Sequence, residues 1–391
     1  MSVEQDTRSG RLGEIAALFF KLGVIGFGGP AAHISMMEDE VVEKRQWLSR
    51  ERFLDLVGVT SIIPGPNSTE MAIHLGFLRG GWPGFLLAGM CFIFPAITLT
   101  TVLAWAYWHY GAVPQVTWLL YGIKPAVLAV ILGALWRLGQ KAVKGWRLSF
   151  LGVAVMLVAL TEFSGVLALI GGGIVGMFWL RMAQPMDHGN MAIAVPLAGT
   201  GVSMLAGTGA IVGGPTLLAL GLFFLKVGSV LYGSGYVLIA FLQEELVHGY
   251  AWLTQEQLLE AVAIGQFTPG PVLSTAAFIG YLVTGGKVSG ALVAAGAIFL
   301  PSFVFVAVLN PVLPRLRESE WVGAFLDAVN VCAVGLMAAV TIELAYLTLD
   351  SVPKGVIAGV AAVLGLWRGV GAVWLVVGGA VAGWLVIFMG W

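Results

Sequence analysis

The chain is a succession of long apolar runs separated by short polar ones. Residues 86–105, 118–136, 288–309 and 371–388 each approach the ~20 residues that cross a bilayer as a helix. Two apolar stretches are interrupted. Segment 13–43 is split at Gly26-Phe27-Gly28-Gly29-Pro30 into arms of about 14 residues, each roughly 20 Å long as helix and too short to cross upright. Segment 53–78 is split likewise by Pro64-Gly65-Pro66. Each reads as a hairpin that returns to its own side or as two short tilted spans, and both readings add an even number of crossings. The other runs, near 83–109, 117–136, 148–163, 166–182, 190–208, 288–309, 322–346, 353–367 and 370–390, read as single crossings.

Composition sets the environment. Of 391 residues, 59% are hydrophobic and 10% charged, where soluble domains carry about a quarter charged residues. Mean hydropathy is +0.93. The sequence therefore predicts a polytopic membrane protein without an appreciable soluble domain. Its first twelve residues carry both charge signs and no apolar core before a small-residue cleavage site, so no removable signal peptide is expected. Fourteen tryptophans suit belts at the membrane surfaces. Cys91 and Cys332 lie in apolar runs with no pairing or metal spacing and read as small buried hydrophobes. With two such cysteines and five dispersed histidines, no metal or cofactor is expected.

The interruptions recur. Pro64-Gly65-Pro66 returns as Pro269-Gly270-Pro271, and Lys21, Gly23, Phe27 and Gly28 lie 205 positions before Lys226, Gly228, Tyr232 and Gly233, the offset that also separates the tripeptides. A repeat that preserves its helix breaks is using them. With the N-terminus placed in the cytoplasm, fifteen of the twenty Lys and Arg fall inside and only Lys287 and Lys354 outside. Lys21, Lys124 and Lys226 remain within apolar segments. This is the bias of the positive-inside rule. The loop after the first hairpin carries Lys44, Arg45, Arg50 and Arg52, whereas its counterpart holds Glu244, Glu245 and Glu256 and no Lys or Arg, so the two loops are expected on opposite faces. The expected fold is an all-α polytopic membrane protein of two homologous halves in inverted orientation, each with broken-helix hairpins at Gly-rich and Pro-Gly-Pro motifs. Residues 13–182 form the first repeat, 183–212 a connecting segment with one crossing, and 213–391 the second repeat.

Proline suits the first turn of a helix and glycine allows a sharp bend, so Pro66 and Pro271 are expected to start half-helices near mid-membrane. Asn67, Ser68 and Thr69 follow the first, and Ser274 and Thr275 the second. Helix starts present unpaired N–H groups and partial positive charge, and two of them facing each other would make a donor-lined anion pocket. The breaks at Gly28-Gly29-Pro30 and Gly233-Ser234-Gly235 could add two more. The plainer reading of such breaks is a simple kink. Lys21, Lys226 and Lys124 are candidates for binding the anion, with snorkelling to the interface as the alternative. Asn330 occupies the position equivalent to Lys124. Glu70 and His74, four apart on one helical face, are candidates to carry a proton or to form a structural hydrogen bond, and Glu244 and Glu245 are further coupling candidates. Asp327 and Glu343 read as residues near helix ends or paired to a helix donor, and Arg79 as an interfacial anchor.

The run Phe27-Gly28-Gly29-Pro30, the stretch 64–76 (Pro-Gly-Pro-Asn-Ser-Thr-Glu-Met-Ala-Ile-His-Leu-Gly), Gln243-Glu244-Glu245-Leu246-Val247 and the stretch 265–273 (Gly-Gln-Phe-Thr-Pro-Gly-Pro-Val-Leu) resemble the two-domain chromate ion transporters. The resemblance covers nearly the whole chain. It implies an inner-membrane protein that exports chromate and confers resistance to it, working as a secondary transporter by alternating access. Chromate is a tetrahedral oxyanion that only accepts hydrogen bonds, as the pocket requires; sulfate shares its shape and charge. A sulfate or oxyanion transporter and an anion channel are the alternatives, while an enzyme such as a chromate reductase would need a redox centre that the sequence does not supply. Gln266, where the first half has Ser61, is a further candidate donor. The expected partners are the oxyanion and the lipid bilayer, with a homodimer allowed and no nucleic acid. No nucleotide-binding motif is present.

Overall fold

The computed structural model describes residues 8–111, 113–161, 165–182, 215–232, 235–309 and 319–389. Among them there are fifteen α-helices and no strands. In the first half they are α1 (Arg8–Ile25), α2 (Gly29–Glu38), α3 (Arg50–Thr60), α4 (Asn67–Tyr110), α5 (Pro114–Ala142), α6 (Trp146–Ala159) and α7 (Gly165–Arg181). In the second they are α8 (Leu217–Val230), α9 (Leu238–Phe241), α10 (Gln255–Phe267), α11 (Thr275–Val283), α12 (Val288–Leu309), α13 (Glu320–Thr348), α14 (Val352–Trp367) and α15 (Ala372–Phe388).

Four described helices contain spans long and apolar enough to cross a membrane: Asn67–Tyr110, Val116–Ala142, Val288–Val308 and Glu320–Thr348. They contain the runs expected near 83–109, 117–136, 288–309 and 322–346. The helices at 148–163, 166–182, 353–367 and 370–390 are shorter, 14 to 17 residues, or roughly 21 to 26 Å. The run 190–208 lies outside the described residues. α4 is continuous in name only: Gly81, at φ 62 and ψ −152, breaks it into the arm after Pro66 and a crossing.

The repeat extends to small details of the backbone. Each first hairpin ends in a π-helical segment, Asp39–Lys44 and Leu242–Gly249. Gln46 and Ala251, 205 apart, share the same unusual φ of 51. The residues after them, Trp47 and Trp252, donate their N–H groups to Val41 and Leu246. Ser49 and Thr254 then cap the next helices through the amides of Arg52 and Gln257. A left-handed backbone at a non-glycine residue costs energy, and both copies bear that cost at the same place in the turn.

The compact units cut across the repeats. One comprises Met1–Ala106, Leu220–Gly235 and Ile264–Leu313, and the other Tyr107–Ala219, Tyr236–Ala263 and Pro314–Trp391. The first gathers both Pro-Gly-Pro turns and the helices that follow them. In the second, α5 and α15 approach so closely that a Cβ on Gly122 would strike the backbone of Gly379 and Gly383. Gly122 and Ala126 on one helix face Gly379 and Gly383 on the other, the small-residue spacing by which helices pack without help from water. Gly122→Leu is expected to lower the thermal unfolding midpoint of the detergent-purified protein, costing about 3 kcal/mol or more. Gly378→Ala, with open space around it, should change stability by less than about 0.5 kcal/mol.

Candidate functional site

Both hairpin breaks are built from residues that tolerate unusual backbone. Gly28 and Gly29 have φ of 105 and 79, and Pro30 sits in the first turn of α2. Gly65 and Gly270 have φ of 141 and 91. Pro66 precedes α4 and accepts from the amides of Thr69 and Glu70 at 2.8 and 3.2 Å. Pro271 leads into a short 3₁₀ turn, Val272–Ser274, that continues as α11. As the sequence predicts, each tripeptide starts a half-helix, whose first amides, Asn67 and Ser68 in the first case, have no intrahelical acceptor.

The two halves are stitched together here. The Gly65 N–H donates to the Leu231 carbonyl at 2.7 Å, and the Gly270 N–H donates to the Gly26 carbonyl at 2.6 Å. Gly65 and Gly270 are 205 apart, as are Gly26 and Leu231. Each Pro-Gly-Pro turn therefore bonds to the other half's first break, the reciprocal pattern that a twofold relation generates. His33, 1% exposed, holds the same Gly26 carbonyl at 2.9 Å.

The chemistry around the two turns is unequal. A Cβ on Gly65 would collide with Glu70 Oε1 and Ser302 Oγ, whereas one on Gly270 would meet the methyl of Ala96. Ala96 and Ser302 follow Pro95 and Pro301, so they are equivalent positions carrying different side chains. The same holds one turn further on. Thr100 donates to Ser274 at 3.2 Å and Thr275 donates to the Val272 carbonyl at 2.7 Å, so these second-half hydroxyls have partners within the protein. The position equivalent to Thr100 is Val306, which has no hydroxyl to offer Thr69.

The consequence is a cluster of buried polar atoms without partners on the half-helix after Pro66. Among the described residues, Ser68 Oγ, Thr69 Oγ1, Glu70 Oε2 and His74 Nε2 have no hydrogen-bond partner, and their residues are 1, 0, 0 and 2% exposed. Glu70 has one contact, from Ser302 Oγ at 3.4 Å. Natural proteins rarely leave such groups unsatisfied, because each costs about 1–3 kcal/mol. Four such atoms fall within seven residues of this half-helix.

Two of the three lysines are paired with carboxylates. Lys21 is half-exposed and pairs with Glu40 at 2.9 Å, in a network that also ties Lys44, Arg45, Glu14 and Arg79. Arg79 further lies over the Trp47 ring, as an interfacial anchor would. Lys226 is half-buried on α8. Lys124, in the other compact unit, pairs with buried Glu260 at 3.1 Å and with Glu256 at 3.8 Å. Tyr107 also donates to Glu260. Truncating Lys124 to alanine strands that buried carboxylate and is expected to cost about 3–5 kcal/mol in thermal stability, with Lys124→Ala/Glu260→Gln recovering part of the loss.

The remaining candidates are also placed. Glu244 accepts from the Gly165 amide at 2.6 Å, and Glu245 lies beside it in the same π-helical segment. Gln266 is buried just before the second tripeptide. Asp327 pairs with Lys144, and Glu343 accepts from Gln243 and meets His248 at 3.0 Å. Gly233 and Ser234 lie outside the described residues. Lys354, one of the two lysines assigned outside, hydrogen-bonds Asp350 at 2.8 Å in the connector before α14 and holds that carboxyl below its ordinary range. Sequence reasoning missed Ser302, Thr100, Glu40 and Glu260; the parallel Pro95-Ala96 and Pro301-Ser302 pairs were the available signal for the first.

A multi-pass helical membrane protein whose two repeated halves join at broken helices belongs to the architectural class of many ion and solute transporters. The chain is a member of the chromate transporter family, whose family model matches residues 13–177 and 218–384, one stretch in each half. It is 31% identical to the chromate transport protein of Cupriavidus metallidurans over 90% of this chain and 87% of that one. It is 30% identical to the chromate transport protein of Pseudomonas aeruginosa over 95% and 92%. An uncharacterized transporter of Bacillus subtilis, 31% identical, is matched over 83% of its own length by only 37% of this chain. No solved structure matches.

Proposed function

We propose that the protein is a secondary transporter that exports chromate from the cytoplasm across the inner membrane by alternating access. The observation that carries this reading is the set of buried, partnerless polar groups on the half-helix after Pro66, beside the turn where the two halves exchange backbone hydrogen bonds. In this reading the Asn67 and Ser68 amides and the Ser68 and Thr69 hydroxyls donate to a tetrahedral oxyanion that replaces their missing partners. The second half, with Gly270, Ser274 and Thr275, forms the opposing wall. Lys21 and Lys124 each balance a protein carboxylate, Glu40 and Glu260. Two oppositely oriented halves, with the N-terminus cytoplasmic, fit the basic bias of the loops assigned inside.

Energetics favour this direction. Each charge crossing the membrane is worth about 2.3 kcal/mol per 100 mV, so the ordinary interior-negative potential expels a dianion without ATP. The test is chromate accumulation in chromate-sensitive cells. Cells expressing the protein should accumulate several-fold less chromate than cells without it; equal accumulation at verified expression would contradict the proposal.

A further inference from the structure

Glu70 is fully buried on the first turn of a half-helix, with its carboxyl against the Gly65 turn. The groups that face it are few. Ser302 reaches it from α12, Tyr232 lies within its electrostatic range after α8, and His74 stands one turn along its own helix. No Lys or Arg contact to it is found among the described residues. Its second oxygen has no hydrogen-bond partner among the described residues.

That placement creates a conflict for the anion site proposed above, on which this inference rests. An ionised carboxylate and a dianion sharing a dry pocket repel each other strongly, because little solvent screens them. Ser68 and Thr69 are the residues immediately before Glu70, so the carboxyl cannot be far from any ligand they hold. A protonated carboxyl resolves the conflict, since its O–H becomes one more donor to an oxyanion that only accepts. We infer that the oxyanion enters this pocket together with one proton, carried by Glu70, whose O–H then donates to it. The balance is simple: the carboxylate takes a proton from the water on the loading side and returns it when the anion leaves. The second half has Thr275 at the equivalent position and cannot titrate, so one proton accompanies each anion and one net negative charge crosses with a dianion.

The test is equilibrium binding of labelled chromate to the purified full-length protein through the alkaline range, where free chromate stays a dianion. Once the pH is high enough to ionise Glu70 in the empty protein, the dissociation constant of the wild type should rise about tenfold per pH unit, the linkage expected when binding takes up one proton. Glu70→Gln, which keeps a donor but cannot titrate, should bind with no pH dependence, and His74→Gln should keep the wild-type slope. A flat wild-type profile, or a slope that persists in Glu70→Gln or vanishes in His74→Gln, would overturn the inference. Should Glu70→Gln not fold, proton uptake on chromate binding in weak buffer decides: about one proton per chromate supports the inference and none overturns it. Wild-type protein that binds no chromate at any pH would instead defeat the transport proposal itself.

Discussion

Replacing Ser68 and Thr69 together by alanine is expected to make the empty protein more stable and its hold on chromate far weaker. The two effects have one cause. Both hydroxyls are buried at 1 and 0% exposure without a hydrogen-bond partner, so each destabilises the empty protein by about 1 kcal/mol or more. A methyl group carries no such penalty. When an oxyanion is bound, each hydroxyl makes a hydrogen bond to a charged acceptor, worth about 1.5–3 kcal/mol. Losing both should weaken binding about a hundredfold or more. Thermal unfolding without ligand and chromate binding by dialysis measure the two halves of the prediction. A structural role for these hydroxyls predicts the opposite sign for stability, so a double variant that unfolds earlier and binds normally would place the site elsewhere. Ser274 and Thr275 offer the contrast: both have partners, so alanine there should lower stability.

Gly65→Ala is expected to abolish transport at protein levels near normal, and more completely than Gly270→Ala. At Gly65 the new methyl meets three obstacles. Its φ of 141 is a conformation that only glycine adopts at little cost, and the methyl would press on the Glu70 carboxyl and the Ser302 hydroxyl. Relief requires moving Glu70 or breaking the Gly65 bond to Leu231, and either change disturbs the half-helix that starts two residues later. At Gly270 the backbone is similarly constrained, but the neighbour is the methyl of Ala96, so the disturbance is a packing fault costing about 1–3 kcal/mol. Chromate exclusion by cells, normalised to membrane protein, separates the two. Equal loss in both variants would mean that the polar chemistry around Gly65 carries no special weight.

The breaks could be read from sequence because Pro-Gly-Pro and Gly-Gly-Pro dictate backbone regardless of surroundings, and a 205-residue copy of both is hard to miss. The four long spans were legible for the same reason, since twenty apolar residues need no tertiary context to define a helix in lipid. What was hidden depended on partners far away in the chain. The sequence marks Lys21 and Lys124 as intramembrane cations but not their partners Glu40 and Glu260, positions that only folding brings near. The asymmetry of the two half-sites was equally out of reach. Ser68-Thr69 and Ser274-Thr275 look alike in the sequence, and the difference lies in Thr100 against Val306 and in Ser302 against Ala96, beyond the motif itself. The compact units, which draw on both repeats, likewise follow from cross-half contacts that no local pattern announces.

Uptake of labelled chromate by inside-out membrane vesicles tests the central claim most directly. Their outer face is the cytoplasmic one, and a lumen-positive potential reproduces the polarity of the cell. Vesicles carrying the protein should take up chromate saturably, faster as the potential rises, with uptake on the order of tenfold lower in the Ser68→Ala/Thr69→Ala variant at equal protein. Uptake no greater than in vesicles lacking the protein, or equal uptake by the variant, would contradict the account.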